Sequence, residues 1–231
     1  MNRPEIVCHM TMSLNKKTTG KFLEHPDAQK ACEVYYRLHR RLDADGFICG
    51  RVTMNSSFTH DYEPDVSSYT ETFPKEDYIS DVKGSFYAIA FDTKGKLGWK
   101  DVCTHDEDPG YDGAVIIEIL SHQVSDAYLC YLRKLGISYL FAGEDSIDPE
   151  TALKKLYHYF GFKKLLLEGG GTLNGSFYRQ NLIDEYSLVI APVTELNQNE
   201  KNLLEGVEDP EGFKELAFEK EDEILIIHAK Q

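Results

Sequence analysis

The sequence contains no run of roughly 18 to 20 apolar residues, so no membrane-spanning helix is expected. Its opening, MNRPEIVCHMTMSLN, has no signal-peptide core. Cysteine is sparse. Cys8, Cys32, Cys49, Cys103 and Cys130 are odd in number, far apart and never in a C-x-x-C pair. That usage argues against a disulfide framework and for reduced, packed thiols in a cytoplasmic protein. Basic residues are also in deficit, with 25 Lys and Arg against 39 Asp and Glu, a formal net charge of −14. Nucleic acid and anionic membrane surfaces are therefore not expected partners, because both demand a basic face. An anionic cofactor could bind only where local cations and backbone amides overcome the overall field. The eight histidines are scattered without an H-x-x-x-H, no cysteines stand at zinc spacing, and there is no G-x-S-x-G. No metal site and no serine-nucleophile elbow are expected. Repeats, low-complexity tracts and linkers are missing too, so residues 1–231 read as a single domain.

What is present is a rhythm of strands and helices. Ala114–Leu120 is a nearly continuous β-branched run, as in a strand covered on both faces. Ser125 can cap a helix carrying Leu129, Leu132 and Leu135, which Gly136 can end. Ile137–Ala142 reads as the next strand. Asp148-Pro149-Glu150 opens another helix, and Gly161 closes it. Lys163–Glu168 is a further strand, followed by a short helix through Phe177 and Tyr178 and a strand over Tyr186–Ala191. The first half adds an alternating strand at Glu5–Met12, an amphipathic helix over Pro26–Leu42, and strands at Gly46–Cys49 and Ser85–Phe91. Two last strands are expected at Phe213–Phe218 and Ile224–His228. Such alternation predicts an α/β fold with a mostly parallel sheet and crossover helices. Asn55–Val82 lacks periodicity, and the tyrosine-rich segment Tyr62–Tyr87 could fold over the substrate as a lid.

The most informative stretch is Leu165–Gly175, LLLEGGGTLNG. An apolar strand ends in Glu168, meets Gly169, Gly170 and Gly171, and passes at Thr172 into a segment that can start a helix. Bare amides and the positive end of a helix dipole then face one point, where a phosphate or pyrophosphate can sit. A flexible tight turn is the other reading. The spacing does not fit G-x-G-x-x-G, and the P-loop lysine is missing. A second feature is Gly50-Arg51-Val52-Thr53, where a strand end delivers a guanidinium and a hydroxyl suited to a phosphate monoester. A surface Arg paired with a nearby acid would look the same. Ser121 stands at another strand end, the position that lines ligand crevices in open α/β sheets.

Taken in order, these features form a resemblance. Met12-Ser13-Leu14, Gly50-Arg51-x-Thr53, a strand ending in Ser121, Leu167-Glu168-Gly169-Gly170-Gly171-x-Leu173-Asn174, Leu182-Ile183-Asp184-Glu185 and Ala191-Pro192 together resemble the reductase domain of bacterial riboflavin biosynthesis, in the dihydrofolate-reductase-like superfamily. The resemblance spans nearly the whole chain. It implies a three-layer fold with a mixed, mostly parallel central sheet flanked by helices, NADPH as hydride donor, a small heterocyclic or ribosylamino-pyrimidine substrate, and a homodimer. It also implies that Gly169, Gly170, Gly171 and Thr172 meet the cofactor pyrophosphate. Arg51, Thr53 and Ser121 would meet the adenosine 2′-phosphate, and Glu168 would border the substrate as the catalytic candidate. The sequence departs from the family at Ser13-Leu14-Asn15-Lys16, where the family continues Ser-Leu-Asp-Gly with its Asp beside the reaction centre. That departure keeps a second reading open, a non-catalytic dimeric nucleotide-binding protein of the same fold.

Overall fold

The computed structural model describes residues 2–208 and 212–230. Along the chain run β1 (Glu5–Ser13), α1 (Pro26–Arg41), β2 (Gly46–Gly50), a short α2 (Arg51–Met54), β3 (Tyr87–Phe91), β4 (Val115–Leu120), α3 (Asp126–Leu135), β5 (Ser138–Phe141), α4 (Pro149–Phe160), β6 (Lys164–Leu167), α5 (Gly171–Arg179), β7 (Glu185–Ala191), β8 (Glu215–Glu221) and β9 (Ile224–Lys230). Contacts gather these elements into two compact units. One is built on Ala44–Lys163, the other on Glu5–Asp43 with the chain from Lys164 onward. The first is thus inserted into the second, with no linker composition at either crossing.

In the Ala44–Lys163 unit the strands lie in the order β5-β4-β3-β2, all parallel. β3, β4 and β5 are buried along their whole length, as their β-branched and aromatic content leads one to expect. The helix signals act as read. The Ser125 hydroxyl accepts from the Tyr128 amide at 3.2 Å, and Asp148 accepts from the Thr151 amide at 2.9 Å. Gly136 and Gly161 close their helices in the left-handed conformation.

The tyrosine-rich stretch departs from the lid expectation between Phe73 and Ser80. Tyr78 pairs antiparallel with Tyr139 of β5, and Asp77 Oδ1 accepts from the Phe141 amide and from Lys155, each at 2.8 Å. The Arg133 guanidinium lies over the rings of Phe73 and Tyr78, at 4.3 and 4.2 Å from their centroids. An edge strand needs its open row of backbone groups covered, and this segment covers β5.

In the other unit the order is β6-β1-β7-β9-β8. β6, β1 and β7 are parallel, and β9 and β8 are antiparallel additions. β1 lies between β6 and β7, with Cys8 opposite Leu167 on one side and Tyr186 on the other. Val7 and His9, the polar-face positions of its alternation, are buried as well, because β1 is covered on both faces. α1 lays Ala28, Ala31, Val34 and Leu38 on Val189, Ala191, Ile224 and Ile226. β8 is outermost, and its residues are exposed on both faces up to Lys220.

Candidate functional site

β2, β3 and β4 are parallel neighbours, so their carboxyl ends come out side by side. The chain leaving each strand contributes to one cleft of about 530 Å³. Arg51 and Asn55 follow β2, Lys94 to Lys96 follow β3, and Gln123 and Ser125 follow β4. Asp61, Glu63, Pro64 and Val66 form the opposite wall, and Asp61 is bonded to the Asn55 amide. Crevices of this kind, at the carboxyl ends of parallel strands, are where open α/β sheets bind ligands.

Arg51 opens the short α2 and is exposed, and Thr53 is half-buried on the same turn. Ser121 is fully buried. Its hydroxyl donates to the Thr93 carbonyl at 2.8 Å and accepts from the Gln123 amide at 3.2 Å, so it braces the turn after β4. Lys94 and Lys96 did not stand out in the sequence, where Lys94-Gly95-Lys96 reads as an ordinary solvated turn. Gly95, at φ +65°, is required there: a Cβ would meet the Tyr128 ring at 2.4 Å.

Beneath this turn lie two buried acids. Asp92 Oδ2 accepts from the amides of Lys96 and Leu97, the latter at 2.8 Å. Glu118 Oε1 accepts from the Trp99 indole N–H, and it lies 3.3 Å from the Tyr128 hydroxyl, which donates to the Leu97 carbonyl at 2.8 Å. Burial, and then the charge of Asp92, holds the Glu118 carboxyl well above the usual carboxylate range. Asp92 is raised by burial too, against the pull of the amides it accepts from and of Arg51.

The glycine turn belongs to the other unit. Gly169 is buried at φ +98°, the Gly169–Gly170 peptide is cis, and Gly170 precedes α5 in an extended conformation. The reasons for glycine differ by position. A Cβ on Gly171 would lie 2.0 Å from the Asn202 carbonyl oxygen, and one on Gly175 2.1 Å from that of Glu205. The Glu205 amide donates to the Gly171 carbonyl at 3.0 Å, and Asn174 donates to the Leu203 carbonyl at 3.2 Å. The segment Asn202–Glu205 therefore lies flat on the side of α5, and these two glycines make room for it. Gly170 is half-exposed and Thr172 exposed, at the end of α5 where the first amides lack intrahelical acceptors.

Glu168 is held from α1. Its Oε1 lies 2.8 Å from Nδ1 of His39, and the two side chains are only 2% and 1% exposed. Burial, with Glu168 adding to it, pushes the neighbouring Cys8 thiol up. Burial lowers His9 despite the carboxylate. His9 is further fixed by stacking on Tyr35 at 4.3 Å, and by Nε2 at 3.0 Å from the Tyr35 carbonyl. The one sequence signal for His39 was its place four residues after Tyr35 on the apolar stripe of α1.

Asn15 is a clasp. Its Oδ1 accepts from the Glu195 amide at 3.0 Å and from the Ser13 hydroxyl at 2.8 Å, and its Nδ2 donates to the Glu195 carbonyl at 2.7 Å. Beside it Lys17 is buried and donates to the carbonyls of Gln198 and Glu200. Among the described residues no helix is long and apolar enough to cross a membrane, and no three His, Cys, Asp or Glu side chains are gathered as metal ligands.

Comparison with known proteins gives the resemblance independent support. The RibD C-terminal domain family matches residues 115–220, just under half of the chain. A protein of Aquifex aeolicus named 2,5-diamino-6-ribosylamino-4(3H)-pyrimidinone 5′-phosphate reductase is 34% identical over 85 residues, 37% of this chain and 36% of its own length. The protein of that name in Methanothermobacter thermautotrophicus is 37% identical over 76 residues, 33% of each chain. The chain thus covers about a third of the length of these relatives. The fold is that of the riboflavin reductases. The Saccharomyces cerevisiae riboflavin biosynthesis reductase superposes with a TM-score of 0.66 at 14% identity, over 100% of this chain and 90% of that one. RibD of Acinetobacter baumannii gives 0.62 at 18% identity, over 100% and 58%.

Proposed function

We propose that this chain is a reductase that uses NADPH to reduce a ribosylamino-pyrimidine phosphate or a closely related heterocycle in riboflavin biosynthesis. We further propose that it works in the cytoplasm as a homodimer, all of 1–231 acting as one reductase domain. The observation that carries the reading is the cleft at the carboxyl ends of β2, β3 and β4. In a chain of net charge −14, Arg51, Lys94 and Lys96 converge on a single open space there. Three cations on a turn and a helix start fit a phosphate monoester, the group that distinguishes NADPH from NADH. The RibD-type match and the names of the curated relatives support the reaction class and the substrate class. Free cysteines throughout support the compartment.

In this reading Arg51 takes the 2′-phosphate, with Lys94 and Lys96 beside it. Thr53 adds a hydroxyl, and Ser121 holds the turn after β4 in place. Gly169, Gly170, Gly171 and Thr172 offer the amides at the start of α5 to the pyrophosphate. Bound NADPH supplies the hydride. Glu168 handles the proton, with Oε1 fixed by His39 Nδ1. The carboxylate enters the reaction already oriented, and this lowers the reorganisation needed during transfer.

The test is binding and turnover with the intact chain. NADPH should quench Trp99 and tyrosine emission far more strongly than NADH. Arg51→Ala should weaken NADPH selectively, and equal loss for both cofactors would remove the 2′-phosphate assignment. The second reading, a nucleotide-binding protein without turnover, draws on Asn15, which occupies the acidic position of the family and is committed to the Glu195 backbone. Steady oxidation of NADPH with 2,5-diamino-6-ribosylamino-4(3H)-pyrimidinone 5′-phosphate excludes it.

A further inference from the structure

We propose that Glu118 is a neutral carboxylic acid near a charged Asp92, and that this pair positions the lysine-bearing turn of the cleft. Ala90 of β3 stands opposite Glu118 of β4, and Asp92 is two residues beyond Ala90, so both acids lie on the same face of the sheet. Both side chains are wholly buried. The hydrogen bonds from Trp99, Lys96 and Leu97 go to one oxygen of each, and the Lys94 amide also pulls on Asp92. Trp99 donates to Glu118 Oε1, and the amides of Lys96 and Leu97 donate to Asp92 Oδ2. The other two oxygens, Glu118 Oε2 and Asp92 Oδ1, have no hydrogen-bond partner among the described residues. Two ionised carboxylates buried on one face of the sheet in this state would be strongly unfavourable. One proton removes the conflict: carried on Glu118, it leaves a single negative charge on the pair. The charge belongs on Asp92, which has two amide donors and Arg51 within electrostatic reach. Glu118, deeper and faced by Asp92 and the hydroxyls of Tyr128 and Tyr131, is the member that burial drives neutral.

The consequence reaches the cleft through the backbone. Asp92 holds the amides of Lys96 and Leu97, and its carbonyl accepts from Gly95 at 3.1 Å. Tyr128 ties the Leu97 carbonyl to Glu118. The course of the turn that presents Lys94 and Lys96 is thus set by a carboxyl floor that never touches ligand. Neither acid is catalytic; both are positioning residues. This functional half rests on the reading of the cleft as a phosphate site, while the protonation half does not.

Infrared spectroscopy of the intact chain near neutral pH decides the protonation half without any ligand. A carbonyl stretch of a protonated carboxylic acid should be present in the wild type and missing in Glu118→Gln. No such band in the wild type, or a band that persists in Glu118→Gln, overturns the proposal. Calorimetric titration with NADPH decides the positioning half. Glu118→Gln, which mimics the neutral acid, should bind within about twofold of wild type, and Glu118→Ala, which leaves Trp99 without its acceptor, about tenfold more weakly. Equal weakening of both variants overturns it. Failure of the wild type to bind NADPH would instead overturn the proposed function, and the infrared band would still decide the carboxyl pair.

Discussion

The cleft after β2, β3 and β4 and the glycine turn before α5 use similar residues to different ends. In the cleft, charged side chains are exposed and converge on open space, while the groups that shape the turn are buried beneath it. At the glycine turn the polar group, Glu168, is buried against His39, and two of the four glycines make room for another stretch of backbone. The difference teaches that a glycine cluster at a helix start has two causes that motif spelling cannot separate, ligand approach and chain approach. Here Gly170 remains open to the first, and Gly171 and Gly175 answer to the second.

That contrast can be broken or sharpened by experiment. The largest effect is expected for His39→Leu, which removes one member of a buried pair and should lower unfolding free energy by about 3 kcal/mol or more in urea titration. A loss under about 1 kcal/mol would mean that Glu168 is not held as described. Gly171→Ala should cost roughly 2–3 kcal/mol, because its Cβ would press on backbone rather than on a flexible side chain. If that variant keeps its stability and loses only NADPH binding, the missing side chain makes room for ligand and not for the Asn202 backbone.

Titration separates the two regions as well. Glu118 has a folded-state value above its ordinary 4.5, so above that pH the folded chain keeps a proton that the unfolded chain has released. Stability therefore falls as pH rises through this window. It is flat below the ordinary value and flat again above the folded one. Glu118→Gln lacks this slope, and the gap between the two proteins should widen by up to about 1.4 kcal/mol per pH unit. A parallel course of both curves from pH 5 to 8 would contradict a protonated Glu118. Arg51→Ala should weaken NADPH by roughly tenfold, about 1.4 kcal/mol, and leave NADH unchanged. The smallest change is expected for Asn15→Asp, which loses the donor to the Glu195 carbonyl and should cost about 1 kcal/mol in thermal unfolding.

Much of this architecture was readable in the chain itself. β-branched runs marked the buried parallel strands, and Ser125, Gly136, Asp148-Pro149 and Gly161 marked helix ends through local hydrogen bonding and backbone conformation, which sequence neighbours control. The place of Arg51 at the cleft was readable because it directly follows a strand end, where crevices of open α/β sheets lie. Lys94 and Lys96 were not, since their value comes from the β3–β4 register and not from their own neighbours. His39 was hidden for the same reason: only the placement of α1 over β1 and β7 turns one more helical residue into the partner of Glu168. The packing reason for Gly171 depends on a carbonyl 31 positions away, at Asn202.

β8 carries a consequence for the protein in bulk. A terminal strand whose outer backbone row is open can recruit identical strands into fibres. Glu215, Glu219 and Glu221 recur along it, so copies stacked in register would set carboxylate on carboxylate at every layer. At neutral pH that repulsion guards the molecule against polymerising through this rim. Glu215→Gln combined with Glu219→Gln removes much of the guard, and concentrated solutions of that variant should turn turbid before those of the wild type.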